Sequence, residues 1–149
     1  MVPRDGYQPE VDGVLLPVVC ALSPEGGHVG QHRDIASTSS VTFFPNNPLY
    51  NISKAGVVTL TKTLAADLGP TIRVNAVGPG SVPTDLNAAM YADPQREKDL
   101  CAKIPLGRRG TKDDIANAVL FLSSDESCYL TGQVIYAEGG WLLVKRRKP

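Results

Sequence analysis

Net charge is what this 149-residue sequence most plainly lacks: Lys plus Arg and Asp plus Glu stand at 15 each. A nucleic-acid-binding domain needs a basic excess, so the balance argues against that role for the chain as a whole. Cysteine is scarce as well. Cys20, Cys101 and Cys128 are odd in number, far apart and in no C-x-x-C spacing, and only His28 and His32 stand beside them as further metal-ligand candidates. No metal is expected, and the cysteines read as reduced thiols of a cytoplasmic protein. No apolar run reaches the ~20 residues of a membrane span, so no membrane partner is expected. Val14 to Leu22 has the length of a signal h-region, but Glu10 and Asp12 precede it where basic residues belong.

Regular patterning is missing from the first 33 residues. Pro3, Pro9, Pro17 and Pro24 interrupt any helix there, and five glycines are scattered among them. The segment is expected to be poorly ordered, with at most one short element around Val14 to Leu22. From residue 34 the order improves. Asp34 to Ser37 reads as the end of a strand, and Thr38 to Asn47 as a loop rich in small polar residues. Pro48 suits a helix's first turn. The helix is predicted to run to Leu68 and to bury Ile52, Val57, Leu60, Thr61, Leu64 and Leu68. Gly69 and Pro70 close it.

Ile72 to Val77 alternates as a strand does, and Gly78-Pro79-Gly80 breaks it. Residues 85 to 104 are loosely helical with Pro94 inside. Thr111 and Asp114 have capping-box spacing ahead of Ile115, Val119, Leu120 and Leu122. Gln133 to Ala137 reads as a last strand, closed by Gly139 and Gly140. Strand, helix, strand, helix, strand implies an α/β fold with a parallel sheet and right-handed crossovers. The tail, 143 to 149, carries the basic run Lys145 to Lys148 and reads as a solvated end.

The chemistry concentrates in three residues. Tyr50 and Lys54 sit four apart and therefore on one face of a helix, and Ser37 lies thirteen positions earlier. An ammonium beside a phenol favours the phenolate, which suits a proton donor and acceptor near neutral pH. A serine hydroxyl can polarise a carbonyl or stabilise an alkoxide. On spacing alone, Y-x-x-x-K also occurs on many solvated helices, and serines are common in loops.

The surrounding text is more specific. Ile35-Ala36-Ser37 is followed by Tyr50-Asn-Ile-Ser-Lys54-Ala-Gly56, and then by Ile72-Arg-Val-Asn-Ala-Val-Gly-Pro-Gly80 with Thr84. Ile104-Pro-Leu-Gly-Arg108, the run Asp114 to Ser124, and Thr131-Gly-Gln133 leading to Gly139-Gly140 complete the series. In this order and spacing the chain resembles the short-chain dehydrogenase/reductase family over residues 34 to 142. The resemblance implies the C-terminal half of a Rossmann-like, doubly wound parallel sheet. It implies hydride transfer between NAD or NADP and a small alcohol or carbonyl substrate. By the same resemblance Tyr50 is the acid/base, Lys54 lowers its pKa and binds the nicotinamide ribose, and Ser37 orients the substrate. Pro79, Gly80, Val82 and Thr84 match the segment along the nicotinamide, and Leu86, Met90 and Tyr91 are candidates to line a substrate pocket or to pack lid against body.

The sequence departs from the family upstream of Ser37. No G-x-x-x-G-x-G turn for the pyrophosphate precedes it, and residues 1 to 33 contain no asparagine. His28 to Asp34 has no β-branched run, and the step from Leu68 to Ile72 is one residue shorter than is usual in the family. These departures suggest a truncated gene product whose first 33 residues are not family sequence. An alternative reading follows: a non-catalytic remnant or oligomerisation module, pairing with itself or with a related chain through an exposed sheet edge.

Overall fold

The computed structural model describes residues 30–88 and 91–143, with the side chain of Leu86 excepted. The expectations placed on Val14 to Leu22, Met90 and the basic tail lie outside the described residues. Three strands form one parallel sheet in the order β1–β2–β3: β1 is Gly30–Ile35, β2 is Ile72–Pro79 and β3 is Val134–Ala137. Helix α1, Pro48–Leu68, connects β1 to β2; helices α2, Pro94–Cys101, and α3, Lys112–Ser123, lie between β2 and β3. Gly30 pairs with Ile72 and Ile35 with Val77, while Ala76 pairs with Val134 and Pro79 with Ala137.

β1 begins at Gly30, so residues 30–33, expected to be irregular, are strand. Polar pairing takes the place of the missing β-branched run. His32 and Asp34 alternate onto the face that meets α1, at 8% and 2% exposure. His32 Nε2 lies 2.9 Å from Asp34 Oδ1, and Thr61 Oγ1 of α1 donates to Asp34 Oδ2 across 2.6 Å. His32, Asp34 and Thr61 therefore satisfy one another.

The opposite face is held by Arg73. Its guanidinium, 7% exposed, donates to the carbonyls of Ser127 and Leu130 at 2.8 and 3.1 Å. It also donates to those of Leu122 and Ser124, both at 3.3 Å. The latter two belong to the C-terminal end of α3, where carbonyls lack intrahelical donors and a cation is favoured. With α1 on one face and α3 on the other, the sheet is doubly wound. Val74, Ala76, Val77 and Leu122 fill its core.

The helices follow local chemistry with three differences from expectation. The face that α1 turns to the sheet is Thr61 and Ala65, whereas Ile52 is 68% exposed and Leu68 36% exposed. A smaller face suffices because β2 offers Val74 and Ala76 for close packing. Gly69 ends α1 at φ −68°, an ordinary value, so the stop comes from Pro70 rather than from a left-handed glycine. Pro94 starts α2 instead of interrupting a helix; Asp93 caps it by accepting from the Gln95 N–H at 2.9 Å. The Thr111–Asp114 capping box forms as expected, and Arg108 adds a two-pronged ion pair to Asp114 at 2.7 and 3.0 Å. That guanidinium, with the Thr111 N–H, holds the Asp114 carboxyl well below the usual carboxylate range. No helix among the described residues is long and apolar enough to cross a membrane.

Candidate active site

Parallel strands deliver their carboxyl ends to one edge of the sheet, and a cavity of about 190 Å³ opens there. Ser37 follows β1, Gly80 follows β2, and Trp141 follows β3; all three line it. Tyr50, in the first turn of α1, lines it as well, with Val82 and Tyr91 from beyond β2.

Ser37 caps a short 3-10 turn, Thr38–Ser40. Its Oγ accepts from the Ser39 N–H at 3.1 Å and donates to Ser39 Oγ across a long 3.3 Å. The donor bond is weak enough to be exchanged for a substrate oxygen. The turn is buttressed from β3. Ser40 Oγ donates to the Ser37 carbonyl at 2.6 Å, so the 2.9 Å contact to Tyr136 is a bond that the phenol donates. Tyr136 fits because position 78 is glycine. A Cβ there would stand 2.5 Å from the tyrosine ring.

Lys54 lies one helical turn beyond Tyr50. Its Nζ donates to the Ile35 carbonyl at 3.0 Å and sits 5.8 Å from the centre of the Tyr50 ring. Burial holds its ammonium below the ordinary lysine value. One of its three hydrogens is used by Ile35, which leaves donors for a ligand's hydroxyls.

Ser37, Tyr50, Gly80, Val82 and Tyr91 are thus brought to one cavity, with Lys54 beside it. Pro79 and Thr84 are placed elsewhere. Pro79 ends β2 opposite Ala137, and Thr84 is exposed, capping the turn Asp85–Asn87 together with Asn87. Sequence reasoning did not single out Ser39, Phe44, Ser81, Asn87, Leu100 or Trp141, which complete much of the lining. Three of them lie within four residues of a strand's carboxyl end, the position where open α/β sheets bind ligands.

A three-stranded parallel half-sheet with a cavity at its carboxyl edge is Rossmann-like. The chain belongs to the short-chain dehydrogenase/reductase family of oxidoreductases: residues 19–142 match the family model described as enoyl-(acyl carrier protein) reductase. A 3-oxoacyl-acyl-carrier-protein reductase of Thermotoga maritima is 44% identical over 118 residues, 76% of this chain and 47% of that protein. An NAD(P)-dependent gluconate 5-dehydrogenase structure from Beutenbergia cavernae, with NADP at low occupancy, superposes at TM-score 0.74 and 40% identity. That match covers 78% of this chain and 47% of the other. A gluconate 5-dehydrogenase from Burkholderia cenocepacia, in complex with NADP and tartrate, gives TM-score 0.74 at 32% identity, covering 78% of this chain and 46% of its own. The chain spans about half the length of the curated relatives it matches.

Proposed function

We propose that the chain supplies the proton-relay and substrate side of an NAD(P)-dependent oxidoreductase that interconverts a small alcohol and its carbonyl. The observation that carries this reading is the convergence of Ser37 and Tyr50 on one cavity, with the Lys54 ammonium 5.8 Å from the Tyr50 ring. Ser37 gives up its 3.3 Å bond to Ser39 and donates to the substrate oxygen, which fixes the reacting carbon and favours charge on that oxygen. Tyr50 carries the proton to or from the same oxygen. Lys54 places a positive charge beside the Tyr50 ring and steadies the helix against Ile35.

The donor set suits the nicotinamide end of a dinucleotide, whereas no glycine-rich turn for its pyrophosphate precedes Ser37. Lys54 retains free N–H groups for ribose hydroxyls, and the relatives' structures hold NADP. Lys54 and Tyr50, with Gly80 and Val82 at the cavity, would hold its nicotinamide end. Bound, it would supply or accept the hydride. NAD and NADP are both admitted by these residues. The test is absorbance at 340 nm with each cofactor and a panel of small alcohols, wild type against Tyr50→Phe.

A second reading is a pairing module. The outer edge of β1 has no strand beside it among the described residues, and such an edge recruits other chains. Light scattering across a concentration series distinguishes it: growth in mass without turnover favours pairing, and a monomer of constant mass removes it.

A further inference from the structure

Arg109 is buried to 8% exposure behind the cavity wall, and each of its three guanidinium nitrogens donates one hydrogen bond. Nη1 donates to Glu97 Oε2, Nη2 to Asn87 Oδ1 and Nε to Ser81 Oγ, each at 3.1 Å, and the Tyr91 ring lies 4.2 Å from the guanidinium carbon. Guanidinium only donates, so Ser81 must accept. A hydroxyl has one hydrogen, and that of Ser81 meets no acceptor among the described residues. Ser81 lines the cavity shared by Ser37 and Tyr50. Its neighbour Asn87 has its oxygen committed: Oδ1 accepts from Arg109 and from the Thr84 N–H at 3.0 Å, while one Nδ2 hydrogen goes to the Val82 carbonyl at 2.8 Å.

We infer that Arg109 presets Ser81 as a hydrogen-bond donor into the cavity, for a second oxygen on the substrate. Accepting from a cation strengthens the hydroxyl as a donor. The substrate class is therefore a small molecule with a hydroxyl or carboxylate near the reacting carbon, such as a polyol or hydroxy acid, rather than an apolar alcohol. This rests on the oxidoreductase reading for which oxygen reacts, but the recognition itself is a binding property. Ser81 is a specificity residue, and Arg109 is a positioning residue that acts through it.

Trp141, the one tryptophan in the sequence, lines the same cavity and reports binding without turnover. Its fluorescence is titrated with sorbitol, gluconate and cyclohexanol on the full chain. For wild type, sorbitol or gluconate is expected to bind more tightly than cyclohexanol. Ser81→Ala is expected to weaken the polar ligand about five- to tenfold and to leave cyclohexanol within about twofold. Arg109→Leu should weaken it similarly, and the double variant no further. Ser81→Ala alone decides the matter if Arg109→Leu fails to fold. Equal titration of wild type and Ser81→Ala, preference for cyclohexanol, or no response to any of the three overturns the inference. A chain that binds a polar ligand through Ser81 but reduces neither NAD nor NADP keeps the inference and loses the oxidoreductase reading. Turnover with an unchanged KM in Ser81→Ala does the reverse.

Discussion

Lys54 reaches across from α1 to the last residue of β1, donating from Nζ to the Ile35 carbonyl at 3.0 Å. The bond joins the helix that carries Tyr50 to the strand that delivers Ser37. The same residue brings a positive charge beside Tyr50 and ties its helix to the strand that precedes Ser37.

That position makes Lys54 titrate early. Burial holds its ammonium below the ordinary lysine value. The native chain therefore sheds this proton before the unfolded chain does. The cost of burying the charge is full below the folded pKa and is relieved as pH climbs toward the unfolded value of ~10.4. NMR titration of 13C-methylated lysines should give Lys54 a midpoint below that value. A midpoint at or above it contradicts the placement.

Gly78 and Tyr136 are matched. A methyl group at position 78 would lie 2.5 Å from the tyrosine ring, so Gly78→Ala should displace the ring and cost ~1–3 kcal/mol in urea unfolding. Tyr136→Phe keeps the ring but loses the bond to Ser40, for about 1 kcal/mol. Unaltered stability of Gly78→Ala would show that the ring has room to move.

Asp34 is the acceptor for both His32 and Thr61. Asp34→Ala leaves buried His32 without its partner, while Thr61 falls back on the Val57 carbonyl at 2.9 Å, and should destabilise by ~1–3 kcal/mol. The triple change His32→Val, Asp34→Val, Thr61→Val removes the polar set together and should recover most of that loss. Equal stability of Asp34→Ala and wild type, by the midpoint of urea denaturation, contradicts the pairing.

Arg73 donates to four carbonyls around the end of α3. Arg73→Met retains the buried stem but removes the charged donor; the Ser124, Ser127 and Leu130 carbonyls keep the donors they have from Ser127, Leu130 and Asn75, and a loss of ~1.5–3 kcal/mol is expected. Hydrogen exchange should accelerate first in the last turn of α3 and in residues 125–131. Uniform acceleration throughout the chain would place the role of Arg73 elsewhere.

The succession of strands and helices along the chain was legible from the sequence because its signals are local. Pro48, the Thr111–Asp114 box and the alternation of Ile72 to Val77 each act within one element. Ser37, Tyr50 and Gly80 were found because motif text marks them, and the structure brings them to one cavity. What escaped depends on pairing across distance. β1 was read short because its buried positions are His32 and Asp34, polar residues that join a core only once Thr61 is supplied from α1. Arg109 and Ser81 stand 28 positions apart, and nothing in either neighbourhood announces the bond between them. Ile52 was expected in the core because periodicity gives a stripe but not the width of the neighbour it meets.

The central claim is that Tyr50 relays the proton during hydride transfer. Wild-type chain with NAD or NADP and a polyol or hydroxy acid is followed at 340 nm, beside Tyr50→Phe with matched circular dichroism. The account predicts turnover in wild type that falls by about 100-fold or more in the phenylalanine variant. Equal rates in the two proteins, or no reduction of either cofactor by wild type, would contradict it.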